Sequence, residues 1–188
     1  METSPVPWRA VLRFWFTEAQ DRWFAKDPGF DGIVRARFLG LIRAAEAGEL
    51  EAWPAEGPHA ALAYVLVCDQ FPRNLFRASA RAYACDARAL RAARRAAGRR
   101  GDQTLSPLER AFLYMPYQHA EELGPQHIGL QLYRGLQPYP ETESFYRSSV
   151  RHLDVIAKFG RFPHRNAILR RASTAAELAF LETRGARF

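Results

Sequence analysis

Apolar residues recur three and four positions apart along almost the whole chain, and nowhere do β-branched residues alternate over a strand-length window. That spacing predicts helices throughout. A first covers about 8–19, with Val11, Leu12, Trp15 and Phe16 on one face. A second takes Asp31 as its N-cap, turns Ile33, Val34, Phe38, Leu39 and Ile42 inward, and stops at Gly48. Gly57-Pro58 opens a third, and its stretch 60–68 is apolar on every side, the mark of a central helix. Ser79 or Ala80 begins a fourth that ends at Gly98. Ser106-Pro107-Leu108-Glu109 combines the Ser/Glu capping-box spacing with a proline at the first helical position, and so starts a fifth. Gly124-Pro125 precedes a sixth near 126–136. A seventh covers about 141–159 and is halted by Gly160, and Pro163 begins a short eighth. Thr174 and Glu177 form a second capping box for the last helix, which stops near Gly185. The expected fold is all-α: one domain over 1–188, an antiparallel array of eight or nine helices joined by short turns.

The remaining gross features narrow the picture without changing it. A chain of 188 residues suits one domain, which at this size buries roughly 70% of the surface its unfolded form exposes. Its formal net charge is +7. The basic residues are 25 Arg and only 2 Lys, spread over the whole length, which reads as the composition of a GC-rich genome. A nucleic-acid binder concentrates its charge on one face, so nucleic acid is an unlikely partner here. The run Arg88, Arg91, Arg94, Arg95, Arg99, Arg100 is interleaved with alanine and lacks aromatics, as on a solvated helix face. Cys68 and Cys85 are expected to be reduced and buried. The start Met1-Glu2-Thr3-Ser4-Pro5 has no basic leader, and the longest apolar run, 60–68, is far short of the roughly 20 residues of a membrane span. No membrane association is expected, and the expected location is the cytoplasm.

The most informative local feature is an echo: Phe71-Pro72-Arg73-Asn74-Leu75 and Phe162-Pro163-His164-Arg165-Asn166. Residues before proline are pushed out of the α region. The preceding helices are therefore expected to end near Gln70 and at Gly160, with each proline at the first position of a new helix. Arg73 and Asn74, and likewise His164, Arg165 and Asn166, then occupy first turns, where the helix dipole makes cations unwelcome. Asp69 would lie at the C-terminal end of the central helix, where an anion is equally misplaced. Such charges either pair with one another, with Glu121, Asp154 and the arginines stitching helix ends together, or they hold an anionic ligand among exposed N–H groups.

A second cluster is Phe112-Leu113-Tyr114-Met115-Pro116-Tyr117-Gln118-His119-Ala120-Glu121-Glu122, in which the proline bends the helix and His119 shares a face with Glu122. His119 is a candidate general base oriented by a carboxylate, or a hydrogen-bonded core histidine. His119, His152 and His164 can converge in space, but there is no His-Glu-x-x-His, no Glu-x-x-His repeat and no paired cysteine motif, so no metal is expected. Nucleophile elbows, phosphate-cradling glycine loops and dinucleotide fingerprints are absent as well, and no cofactor is expected.

Four segments carry a family resemblance: Phe14-Trp15-Phe16 with Trp23 to Pro28; Asp69 to Arg77; Phe112-Leu113-Tyr114-Met115-Pro116 through Glu121; and His152 with Lys158-Phe159-Gly160-Arg161-Phe162-Pro163-His164-Arg165-Asn166. In order and spacing the chain resembles the bacterial family known as domain of unknown function 924, over essentially its full length. The resemblance implies an all-α fold of the tetratricopeptide-like superfamily, a right-handed α-α superhelix, although no 34-residue period is visible in the sequence. It implies no activity. Two segments depart from the family pattern: Gln118-His119-Ala120-Glu121 stands where Glu-His-Ser-Glu is usual, and Leu169-Arg170-Arg171 where Leu-Gly-Arg is usual.

Two functions follow. The first is a small-ligand binder or enzyme for an anionic metabolite. Asp69, Gln70, Arg73, Asn74, Glu121, His152, Arg161, Arg165 and Asn166 would line a polar cleft, and His119 or His164 would transfer a proton. The alternative is a helical interaction module holding a partner peptide in a groove. A closed polar pocket favours the first, and a groove of exposed apolar side chains the second.

Overall fold

In a computed structural model, residues 7–98 and 100–186 are described, and among them every regular element is helical. The helices are α1 (Pro7–Arg13), α2 (Pro28–Ala47), α3 (Pro58–Val65), α4 (Phe71–Leu75), α5 (Asp86–Gly98), α6 (Pro107–His119), α7 (Leu123–Arg134), α8 (Glu143–Phe159) and α9 (Ala175–Leu181). A π-helical turn, Leu66–Gln70, joins α3 to α4 without a break, so these nine segments form eight helices.

Four of the start and stop signals behave as expected. Gly48 closes α2 at φ 86° and Gly160 closes α8 at φ 69°, the left-handed conformation in which a side chain is strained. Ser106 and Thr174 both form complete capping boxes, with Glu109 and Glu177. Asp31 is not the N-cap of α2. Asp27 is, accepting from the Gly29 and Phe30 N–H groups at 2.8 and 3.2 Å, and this frees Asp31 in the first turn to pair with Arg77. Ser79 caps only a 3-10 turn, Ala80–Tyr83, and the helix proper waits until Asp86. Likewise α7 begins at Leu123, so Gly124-Pro125 fall inside its first turn, where the missing proline N–H costs no helical bond. Residues 1–5, which are not expected to form a basic leader, and Arg99 of the basic run lie outside the described residues.

The core is built around α3. Every residue from Ala60 to Cys68 is at most 1% exposed. Trp15 crosses edge-on to Phe71 and Phe112, at 5.5 and 5.7 Å between ring centroids, and Phe14 packs on Phe38 at 4.9 Å. The aromatic abundance of the sequence is thus spent on clamping α1 and α2 against the central helix. A smaller cluster of Val155, Ile156 and Phe162, covered by Phe159 and Phe180, holds the C-terminal elements. α6 and α7 approach closely at Gly129, where an added Cβ would stand 2.7 Å from that of Tyr117. That fixes the end of α6 carrying Tyr117, Gln118 and His119. No helix among the described residues is long and apolar enough to cross a membrane.

The two proline motifs diverge. Before Pro163 the chain does leave the helix: Phe162 is extended at φ −89°, ψ 108°, and Pro163–Arg165 is a single 3-10 turn, not the short α-helix expected. Before Pro72 it does not. Gln70 and Phe71 are both helical, at φ −82°, ψ −51° and φ −60°, ψ −41°. The wider π turn, in which the Phe71 N–H reaches back five residues to the Leu66 carbonyl, relieves the contact between a proline ring and the preceding turn. The expected helix end at Gln70 is therefore wrong. Asp69 and Arg73 lie inside a continuous helix, and the argument from helix dipoles does not apply to them.

Candidate functional site

A cleft of about 620 Å³ opens between the 3-10 turn at Ala80–Tyr83, the first turns of α5, the end of α6 and the Pro163–Arg165 turn. Tyr83, Asp86, His119, Glu121 and Arg165 line it, as do Leu90, Leu169, Arg91 and Arg94.

The buried acid Asp69 organises the wall. It is fully buried, with Arg73 Nη1 3.1 Å and His119 Nδ1 2.8 Å from its Oδ1, and its Oδ2 accepts from Gln70 at 2.5 Å. Burial opposes its charge, but the Arg73 guanidinium and His119 outweigh burial and hold the carboxyl well below the usual carboxylate range. An ionised Asp69 only accepts, so His119 donates from Nδ1 and presents Nε2 as a bare acceptor. Burial also holds the His119 pKa below its ordinary value, the Asp69 charge opposing only in part, and the ring is neutral near pH 7. The orienting carboxylate is thus Asp69, fifty residues away in sequence, and not Glu122, which is exposed.

Arg73 is saturated. It makes a two-pronged bond to Asp86, Nη1 to Oδ1 at 2.9 Å and Nη2 to Oδ2 at 2.8 Å, and donates again to the Asp69 carbonyl at 2.9 Å. Arg165 is not. It is 6% exposed, lies over the rings of Tyr83 at 4.7 Å and Phe162 at 4.4 Å, and donates one bond, from Nη1 to the His119 carbonyl at 3.1 Å. Its nearest carboxylate, Asp86, stands 3.7 Å away and is already taken by Arg73, and its Nε has no hydrogen-bond partner. Burial pulls the Arg165 pKa down, with Arg73 adding to the effect.

The other predicted residues fall around this centre or away from it. His152 lies near His119, ring centroids 5.8 Å apart with the planes tilted by 53°, and its Nδ1 donates to the Ser148 carbonyl at 2.8 Å; burial pushes its pKa down to about 3. His164 packs on Phe162, and burial beside Arg165 takes it down to about 4. Glu121 is held by Arg171 at 2.5 and 2.9 Å and by the Phe162 N–H at 2.7 Å. Arg161 pairs with Glu177 between α8 and α9, Asn166 bonds Ser173 and Arg171, and Asn74 reaches Asp31 at 3.4 Å; none of these three lines the cleft. Asp154 is exposed and outside the cluster. Among the described residues, no three His, Cys, Asp or Glu side chains are placed to hold a metal ion.

Sequence reasoning missed Asp86, Tyr83 and Arg171. Asp86 follows Cys85 in an ordinary-looking helix start, and only the folded chain puts it under Arg73. Arg171 belongs to the segment noted as departing from the family pattern. The supposedly solvated basic helix face is also mixed: Arg91 and Arg94 line the cleft, and Arg88 donates to the C-terminal Ala45 carbonyl of α2 at 2.8 Å.

The pattern that defines the bacterial proteins of unknown function DUF924 matches residues 11–185. The chain belongs to this family. A solved structure of a protein of unknown function from Agrobacterium tumefaciens is 39% identical and superposes with a TM-score of 0.85, over 93% of this chain and 96% of the other. No curated protein matches.

Proposed function

We propose that this family member binds a small anionic metabolite in the cleft and moves a proton on it, acting in the cytoplasm. The observation that carries the reading is the pairing of a buried, under-satisfied arginine with a neutral imidazole on one wall. Arg165 holds a cation in a desolvated site with its Nε unpartnered, an arrangement an incoming carboxylate or phosphate would complete. His119, its tautomer set by Asp69, offers Nε2 as general base, and Asp69 would stabilise the imidazolium formed when the proton arrives. The large exposed apolar residues Phe24, Ile33, Leu123, Ile128, Tyr139 and Leu178 do not line the cleft, so its character supports a polar ligand over a peptide groove.

A panel of carboxylates and phosphorylated metabolites tests this by thermal shift. At least one class should raise the melting temperature of the wild type, and Arg165→Ala should fold and lose the shift. His119→Gln should keep binding and lose turnover. A panel without a hit, or a shift undiminished in Arg165→Ala, overturns the reading.

A further inference from the structure

Helix α5 runs along the cleft, and the residues it contributes fall on one stripe: Asp86, Ala87, Leu90, Arg91 and Arg94, at the spacing of a single helix face. The chemistry of this stripe changes along the axis. Asp86, in the first turn, is gripped by Arg73 and stands 3.7 Å from Arg165. Leu90 follows one turn on, and Leu169 and Pro116 line the same cleft from other elements. Arg91 and Arg94 lie five and eight residues beyond Asp86. At a rise of about 1.5 Å per residue that is about 7.5 and 12 Å along the helix.

The cleft therefore has a buried cationic end and an exposed one. Arg165 forms the buried end, its side chain 7% exposed, and both its hydrogen bond to the His119 carbonyl and its approach to Asp86 use Nη1. The Nε–Nη2 edge is the fork left over, and its parallel N–H groups match the two oxygens of a carboxylate. At the other end the Arg91 side chain is 62% exposed and comes no closer than 4.0 Å to Glu51. Arg94 is exposed and pairs with no carboxylate among the described residues. The acids of the cleft do not cancel these charges. Asp86 is held by Arg73 and Glu121 by Arg171, which leaves exposed Glu122 against three arginines.

From this arrangement we infer that the ligand of the cleft is anionic at both ends, with a carboxylate on Arg165, a second carboxylate or a phosphate at Arg91 and Arg94, and an apolar chain between them over Ala87, Leu90 and Leu169. The inference rests on the cleft reading above and adds to it the second anion and the spacing. The middle of the stripe offers no hydrogen-bonding side chain, so a polar spacer would lose water there without replacement, whereas a methylene chain gains by burial against Leu90. The two ends contribute differently. The desolvated fork at Arg165 fixes the orientation of the carboxylate, and the exposed pair supplies an attraction that salt screens.

Calorimetric titration of the full chain at low ionic strength tests this, with straight-chain α,ω-dicarboxylates from succinate to sebacate and the monocarboxylate of equal length beside each. Affinity should pass through an optimum among the longer dicarboxylates, which should bind about five- to tenfold more tightly than their monocarboxylate partners. Added salt should shrink that preference. A matched ω-hydroxy acid phosphorylated at its far end, run in parallel, identifies the outer anion by the tighter of the two. The double variant Arg91→Gln with Arg94→Gln, both on exposed positions, should keep the wild-type melting temperature and lose the preference for dicarboxylates. Equal affinity of the two series at every length, or a preference that survives in the double variant, overturns the second anion and leaves the Arg165–His119 reading standing. A dicarboxylate that binds Arg165→Ala as tightly as wild type overturns the buried anchor and that reading with it. Binding by neither series overturns both.

Discussion

Arg73 and Arg165 stand one and two residues after the proline in two copies of one short motif, and they have opposite electrostatic settings. Arg73 has Asp69 on one side and a two-pronged grip on Asp86 on the other. Arg165 makes one bond to a carbonyl, leans on two aromatic rings and keeps an unpartnered Nε, although it is the more buried of the two guanidinium groups, at 7% against 20% side-chain exposure. A buried charge with complete partners holds the fold together, and one with incomplete partners is destabilising until something completes it. The difference separates scaffold from candidate site within a single cluster.

The largest effect expected from this contrast comes from making one substitution at both positions. Arg73→Met strands the buried Asp69 carboxylate beside a neutral imidazole and releases Asp86, and should cost about 3–5 kcal/mol in denaturant unfolding. A loss under about 1 kcal/mol would mean that the Asp69–Arg73–Asp86 chain is not the scaffold.

Acid titration should give the next largest effect. Burial lowers the pKa of His119, takes His152 to about 3 and, with Arg165, takes His164 to about 4. Between those values and the unfolded pKa of about 6.5, the unfolded chain binds protons that the native state refuses, so stability rises with pH. The melting temperature should be level above about pH 7 and fall from about pH 6.5 towards 4. Below the ordinary carboxylate range the fall should continue, because Asp69 has a depressed pKa and its contribution is present above its unfolded value and lost as acid protonates it. His152→Gln should flatten the part of the curve between pH 6.5 and 4; an unchanged slope would show that His152 is not held neutral.

Arg171→Ala removes the two-pronged partner of half-buried Glu121, which keeps the Phe162 N–H. The expected cost is about 1–2 kcal/mol by thermal unfolding. The smallest effect closes the comparison. Arg165→Met replaces an imperfectly compensated cation by a similar apolar volume and should change stability by less than about 1 kcal/mol, in either direction. A loss as large as that of Arg73→Met would make the two arginines alike and remove the distinction.

The motifs also differ in how far they could be read in advance. Gly160 lies two residues before Phe162, so helix α8 had a stop signal independent of Pro163, and the chain leaves the helix there as the spacing implies. Nothing comparable precedes Phe71. Asp69-Gln70 are compatible with helix, and the surrounding core holds the segment so tightly that a π turn absorbs the proline. Tertiary packing prevailed over a sound local preference. The same applies to Asp31, which could have capped α2 until Asp27, four residues earlier, did so and left it to Arg77.

What local chemistry determined was the helical character, the capped ends at Gly48, Ser106, Gly160 and Thr174, the apolar central helix, and the residue types gathered near the polar motifs. Those features follow from interactions within a few residues, whose energetics a linear pattern records. Which acid meets which base followed only from the fold. His119 found Asp69 across fifty residues, and Arg73 found Asp86 across thirteen. Partner choice between distant charges depends on ångström-scale placement and on burial, which sets how strongly each pair interacts. Neither quantity is written in the order of the residues, and it was burial with an incomplete set of partners that distinguished Arg165 from Arg73.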